Sequence, residues 1–146
     1  MKKITLFSDG SSLGNPGPGG YGTIIRYNNH EKTLCGGEAH TTNNRMELRG
    51  VIEGIKALNE PCEIEVFSDS SYVVNAINTW LESWVKRNFK KVKNPDLWRE
   101  YLEVSQSHNV KAFWVKGHAG HEENERCDKM ARQEAEQFKK DGYGAS

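Results

Sequence analysis

Apolar and polar positions change period several times along the chain, and each change marks an element. From Lys3 to Ser11, Ile4 and Leu6 alternate against Thr5 and Phe7, which predicts a strand. Tyr21 to Tyr27 reads as a second strand, and Asn28-Asn29-His30 is turn material joining it to a third at Glu31 to His40. The period then becomes helical. Glu47, Val51, Ile55 and Leu58 share one face of a helix over Asn44 to Leu58, with Thr42 as its N-cap. Glu63 to Ser68 is apolar and β-branched enough for a buried strand. Ser70 opens a helix carrying Tyr72, Val73, Ala76 and Ile77, followed by a Trp- and Lys-rich helical stretch. Pro95 suits the first turn of a helix reaching Gln106, Val110 to Val115 is a last strand, and Glu122 to Lys140 a last helix. Three strands first, then strands separated by helices, predict an α/β protein whose mixed sheet carries helices on its faces.

Composition narrows what such a domain does. The 146 residues suit one domain with a core of its own. Twenty Lys and Arg balance twenty Asp and Glu, so a cationic coat over the whole molecule is excluded while a local basic patch is not. Apolar runs are too short for a membrane span, and the first residues carry no signal-peptide pattern. Three cysteines, Cys35, Cys62 and Cys127, form no CxxC pair, which points to a reducing, cytoplasmic setting without disulfides. The dense stretch Gly14-Asn15-Pro16-Gly17-Pro18-Gly19-Gly20-Tyr21-Gly22 reads as a turn leading into a strand.

Acids supply the first chemistry. Leu6-Phe7-Ser8-Asp9 and Val66-Phe67-Ser68-Asp69 both place Phe-Ser-Asp at the end of an apolar strand. If the strands are parallel neighbours, both aspartates emerge at the C-terminal edge, where open α/β sheets bind ligands. Adjacent strands lie ~4.8 Å apart, so the two carboxylates reach one divalent cation. Glu47 sits on the core-facing stripe of its helix, and Asp128 borders the apolar face formed by Ala131, Ala135 and Phe138. Any one of these acids alone reads as solvated or salt-bridged. Four converging from separate elements, with no obvious buried Lys or Arg partner in their windows, read as ligands for Mg²⁺ or Mn²⁺ rather than zinc.

These residues carry a family resemblance over essentially the whole chain to about Tyr143. Asp9-Gly10-Ser11 with Gly14 to Gly22, Thr42-Asn43-Asn44-Arg45-Met46-Glu47-Leu48, Asp69-Ser70-Ser71-Tyr72-Val73, Trp114 to His121 and Asn124-Glu125-Arg126-Cys127-Asp128 resemble bacterial type 1 ribonuclease H. The resemblance implies a five-stranded mixed sheet, a three-strand antiparallel meander followed by parallel strands, with helices on both faces. It implies an endonuclease cutting the RNA strand of RNA–DNA hybrids, with Asp9, Glu47, Asp69 and Asp128 as metal-binding acids and two ions once substrate is bound. Two ions ~3.5–4 Å apart activate water, neutralise the phosphate and stabilise the leaving oxygen. Direct attack by water fits the family's products, a 5′-phosphate and a 3′-hydroxyl.

The resemblance also assigns assisting residues, each beside a plainer reading. His118 takes the role of proton carrier or aid to product release, which an imidazole titrating near neutrality can perform. A zinc site of His118, His121 and Cys127 is the rival, with spacing and ligand number against it. His121 instead caps or precedes the last helix. Asn15 falls against the nucleic-acid backbone, whereas the glycines around it read as a tight turn. Thr42 is placed on a DNA phosphate and Asn43 and Asn44 on base edges or sugars, although capping accounts for one of the three. Ser71 stands where many relatives have Gln. From Trp80 to Lys93 the chain interleaves Trp80 and Trp84 with Lys86, Arg87, Lys90 and Lys91, and from Lys86 to Lys93 it has five basic residues and no acid. The two tryptophans are spaced to pack on one helix face. The family's basic protrusion, which holds the hybrid, falls here and looks shortened between Lys91 and Asn94. These departures bear on affinity, not on the chemistry.

The expectation is therefore one catalytic domain over residues 1–146, with 141–146 a loose tail, acting as a monomer without a membrane. Its rivals are a nuclease of the same fold acting on DNA, such as a transposase or resolvase, and a non-catalytic hybrid-binding module. The order Asp, Glu, Asp, then His and Asp favours the first reading, and the presence of all four acids disfavours the last.

Overall fold

The computed structural model describes residues 1–116 and 122–144, with side chains as far as 140. His118 and His121 lie outside the described residues, so the expectations attached to them have no structural counterpart.

A single five-stranded sheet runs in the order β3-β2-β1-β4-β5. It is built from β1 (Lys2–Ser12), β2 (Gly17–Tyr27), β3 (His30–Thr41), β4 (Cys62–Ser68) and β5 (Asn109–Trp114). The first three form an antiparallel meander, and β1-β4-β5 pair in parallel, as expected. Leu6 lies opposite Val66 and Phe7 opposite Phe67, so the two Phe-Ser-Asp segments end level with each other. Alternation along β1 and β4 sends Leu6, Ile64 and Val66 into the main core and Phe7 toward the other face, where it stacks on Phe67 at 5.6 Å between ring centroids.

Helices cover both faces. On the first lie α1 (Asn43–Lys56), α2 (Ser71–Asn75), α3 (Leu81–Lys86) and α4 (Pro95–Ser105); on the second lies α5 (Glu122–Gly144). Helix α1 starts where its cap dictates: the Thr42 hydroxyl accepts the Arg45 amide at 3.2 Å. Its stripe of Leu48, Val51, Ile52 and Ile55 is fully buried against the sheet. Helix α5 runs four residues beyond the expected end, over part of the expected tail. It is fastened at its start by Glu31, whose carboxylate holds Arg126 through both oxygens and also takes Arg26.

Three local expectations change. First, Gly17, Gly19 and Gly20 belong to β2 rather than to the turn before it, which is confined to the four residues from Leu13 to Pro16. A Cβ on Gly20 or Gly22 would stand 2.5 Å from a backbone oxygen of α5, so these positions are glycine because α5 lies directly on the strand. Second, the helix opened by Ser70 is interrupted from Ala76 to Trp80 by a π-helical turn. There the Asn78 side chain both donates to and accepts from the backbone of Ala112, occupying the free edge of β5 as another strand would. Third, the Trp- and Lys-rich stretch is helical only as far as Lys86. Asn88, Phe89, Lys91 and Asn94 all have positive φ, and this contorted path inserts Phe89 into the core under the Arg99 guanidinium, 5.0 Å from its ring centroid.

Candidate active site

Asp9, Glu47 and Asp69 each offer a carboxylate oxygen within 4.8 Å of the others. They arrive from β1, α1 and the residue just past β4, at the C-terminal ends of the parallel strands. The contact of α1 with β1 depends on Gly10, since a Cβ there would stand 2.3 Å from the backbone nitrogen of Glu47. Glu47 is only 6% exposed. The Ser8 hydroxyl donates to its carbonyl, and the Ser68 hydroxyl lies 3.4 Å from its Oε2. Asp9 takes the Gly10 amide at 2.8 Å and shares a hydrogen bond with the Glu47 carboxyl.

Desolvation sets the electrostatics. Burial, reinforced by the Asp69 charge, pushes the Asp9 carboxyl up to about 6 against the lowering effect of its hydrogen bonds. Glu47 is driven well above the ordinary carboxylate range by burial first and then by the charge of Asp9. Among the described residues none of the three forms an ion pair with Lys or Arg. Three acids crowded in this way, two of them buried without a cation, are stable as charges only when positive charge is brought to them. Oxygen donors alone, with no sulfur or imidazole in the set, suit a hard divalent ion.

Asp128 stands on the wall of the same open cleft, together with Asn43, Asn44, Ser71 and Tyr72. It differs from the other acids in having a partner: Arg132, one turn along α5, lies 2.9 Å from its carboxylate. The expectation that the acids have no buried Lys or Arg partner is untouched by this pair, because Arg132 lies at the surface, and its i,i+4 spacing is legible in the sequence. Arg132 is two-thirds exposed and free to swing away, so the pair leaves Asp128 available to the cleft.

The other expected site residues divide. Asn43 accepts the Ser12 amide at 2.6 Å, and its own amide donates to Asn15 Oδ1 at 3.3 Å, so Asn15 and Asn43 form one rim of the cleft. Thr42 is committed to its cap, and Asn44 and Ser71 are exposed beside the acids. Trp84 packs among Tyr72, Trp80 and Trp98, whereas Trp80 is 40% exposed. Lys86, at the end of α3, and Arg87, Lys90, Lys91 and Lys93, which follow it, are all exposed. The zinc rival loses its sulfur: Cys127 is fully buried, its Sγ 3.5 Å from the Phe7 carbonyl, and burial raises its thiol far above the range in which a thiolate forms.

Sequence reasoning overlooked the supports around this site. Tyr72 is a hub, its hydroxyl accepting from the Trp98 indole at 2.8 Å and from Asn94 at 3.3 Å. Arg45, next to the polar run at the start of α1, grips Asp96 through two hydrogen bonds and Asn94 through a third, tying α1 to the start of α4. Both partners lie about fifty residues away in sequence, and no local pattern signals them.

A sheet of this order, with acids from β1, α1, the bend after β4 and α5 gathered at one cleft, defines an α/β fold with an acidic, oxygen-donor site, and comparison with known proteins gives the family. The RNase H family model matches residues 1–136. The chain is 67% identical to the Ribonuclease H of Sulfurovum sp. (strain NBC37-1) over 94% of both chains. It is 61% identical to the Ribonuclease HI of Helicobacter pylori (strain ATCC 700392 / 26695), covering 93% of this chain and 95% of that one. Among solved structures, LC9-RNase H1, a type 1 RNase H with the type 2 active-site motif, superposes with a TM-score of 0.86 at 31% identity, over 94% of this chain and 74% of that one. LC11-RNase H1, solved in complex with RNA/DNA hybrid, shares the fold with a TM-score of 0.65 at 23% identity, over 92% and 97% of the two chains. The chain belongs to the ribonuclease H family. It is an enzyme, an endonuclease of the RNA strand of RNA–DNA hybrids.

Proposed function

We propose that the hydrolysis runs on divalent cations held by Asp9, Glu47 and Asp69, with Asp128 as the fourth acid, and that Mg²⁺ serves with Mn²⁺ as a substitute. The observation that carries this reading is the meeting of three carboxylates from three elements within 4.8 Å, two of them buried and none paired with a cation among the described residues. When bound, such ions activate water, neutralise the scissile phosphate and stabilise the leaving oxygen. The chain's own part is to hold the acids in register. Asp9 is fixed by the Gly10 amide, Glu47 by Ser8 and Ser68, and Asp128 by the docking of α5.

Around the acids, the Asn15–Asn43 rim and Asn44 offer donors and acceptors to a sugar-phosphate backbone and to the 2′-hydroxyl that separates RNA from DNA. His118 serves as proton carrier. Trp80, 40% exposed, offers an aromatic face on which a base can stack. Cleavage of labelled RNA–DNA hybrid, RNA duplex and DNA duplex, with Mg²⁺ and with chelator, tests the reading. Hybrid cleavage that is lost with chelator and restored by Mg²⁺ supports it, and cleavage undiminished by exhaustive chelation overturns it.

The basic turn supplies affinity rather than chemistry. Replacing Lys86, Arg87, Lys90 and Lys91 together by Ala should weaken hybrid binding and flatten its salt dependence, by about 0.9 in log–log slope for each phosphate no longer neutralised. The single-turnover rate at saturating enzyme should change little, because these side chains are exposed and none of them lines the acid cleft. Affinity of both proteins over a salt series decides the matter. Coincident lines would make the turn an ordinary solvated surface.

A further inference from the structure

Asp69 is placed differently from its neighbours in the site. Asp9 stands within β1 and Glu47 within α1, each held by the hydrogen bonds of a regular element. Asp69 instead falls on the bend between β4 and α2, one residue past the last strand position and one before the cap Ser70. A carboxylate there is only as well placed as its backbone. On one side the bend is fixed by the Ser70 amide, which donates to Ser68 Oγ at 3.1 Å. The other side is fixed from β5. Trp114 lies opposite Ser68, the Val115 amide donates to the Ser68 carbonyl at 2.9 Å, and the Trp114 indole Nε1–H donates to the Asp69 carbonyl at 3.1 Å.

We propose that Trp114 is a positioning residue for the metal site, its indole N–H holding the Asp69 backbone so that the carboxylate stays in register with those of Asp9 and Glu47. This rests on the reading of the acids as metal ligands. Core packing does not account for the side chain, since Trp114 is 55% exposed on the last position of an edge strand. What it contributes that another large apolar residue could not is the single donor reaching the Asp69 carbonyl. Partners one step removed from a metal ligand typically govern metal affinity by about 10–100-fold.

Trp114→Phe keeps an aromatic ring and removes the donor, and Trp114→Leu removes the donor with a smaller side chain. Mn²⁺ is titrated calorimetrically into substrate-free wild-type protein and both variants, alongside melting and hybrid affinity in chelator. The expected result is Mn²⁺ binding weakened about tenfold in both variants, with metal-free melting and metal-free hybrid affinity near wild type and cleavage partly recovered at high Mn²⁺. A role confined to packing would lower the melting temperature and leave the Mn²⁺ isotherm unmoved, which overturns the proposal. Weakened hybrid binding with unchanged Mn²⁺ affinity also overturns it, making Trp114 a surface for the substrate. If the wild type itself takes up no Mn²⁺, the assignment of the acids fails and this one falls with it. Equal isotherms for a wild type that does bind Mn²⁺ overturn the role of Trp114 alone.

Discussion

Asp9→Asn is expected to abolish hybrid cleavage while making the metal-free protein more stable at pH 7. The loss of activity should be about 10⁴-fold or more, the scale on which an essential catalytic group is felt. Asparagine keeps the oxygen that accepts the Gly10 amide, so the local fold is preserved while one ligand charge disappears. The gain in stability follows from the raised carboxyl. In the folded, metal-free protein Asp9 titrates at about 6, against 3.8 for an ordinary aspartate. The folded state therefore holds a proton that the unfolded chain has lost between those values. Its contribution to stability is full below pH 3.8 and is lost as the pH rises through 6.

At pH 7 that loss amounts to up to about 3 kcal/mol, and asparagine, which cannot ionise, does not suffer it. Metal-free wild type should accordingly melt at a lower temperature at pH 7 than at pH 5, and the difference should shrink in Asp9→Asn. Added Mg²⁺ should raise the melting temperature of the wild type at pH 7 more than that of the variant, because the ion stabilises only a state it binds. Thermal melts at both pH values, with and without Mg²⁺, alongside a cleavage assay, check each part. Near-normal turnover in folded Asp9→Asn would remove the acid from the catalytic set.

The residues differ in how openly they declare themselves. The repeated Phe-Ser-Asp can be read directly, because parallel strands with the same apolar pattern align their ends, and the register of Leu6 with Val66 and Phe7 with Phe67 is the result. The cap at Thr42 is equally plain, since it depends on a hydroxyl three residues from an amide. Glu47 is visible as an acid on an apolar stripe. Each of these signals is local.

What stays hidden depends on contacts between distant elements. Glycines in β2 resemble turn residues until α5 is seen lying on them. The π-helical turn at Ala76–Trp80 makes sense only with Asn78 bound to Ala112, 34 residues away. The break after Lys86 follows from burying Phe89, which competes with and defeats the helical preference of the surrounding lysines. The bond from Trp114 to Asp69 joins adjacent parallel strands, and no spacing along the chain announces it. Asp128 is the local case among them, its surface partner Arg132 being an i,i+4 pair that spacing along the chain announces.

Gly10 has the second large expected effect, although it lines the acid cleft without offering a side chain to it. A methyl group at this position would meet three atoms at once: the Glu47 nitrogen at 2.3 Å, the Met46 carbonyl carbon at 2.6 Å and the Met46 Cβ at 2.8 Å. Two of the three are backbone of α1, so no side-chain rotation relieves the clash, and strand and helix must separate. Overpacking of this kind costs about 1–3 kcal/mol. The functional cost is larger, because separation moves Glu47 away from Asp9 and Asp69, whose oxygens now lie within 4.8 Å of its own. Displacing a catalytic group by about 1 Å costs about 10²-fold in rate.

Gly10→Ala should therefore fold, melt at a lower temperature and lose about 10²-fold or more in hybrid cleavage at saturating Mg²⁺. Asp9, Glu47 and Asp69 are all still present in this variant, and that separates it from removal of an acid. Mn²⁺ binding should weaken rather than vanish, since the ligands survive in a looser arrangement. Gly10→Ala with wild-type melting and wild-type turnover would show that β1 and α1 can part without disturbing the acids. The close approach of Glu47 to Asp9 would then lose its claim to set the geometry of the site.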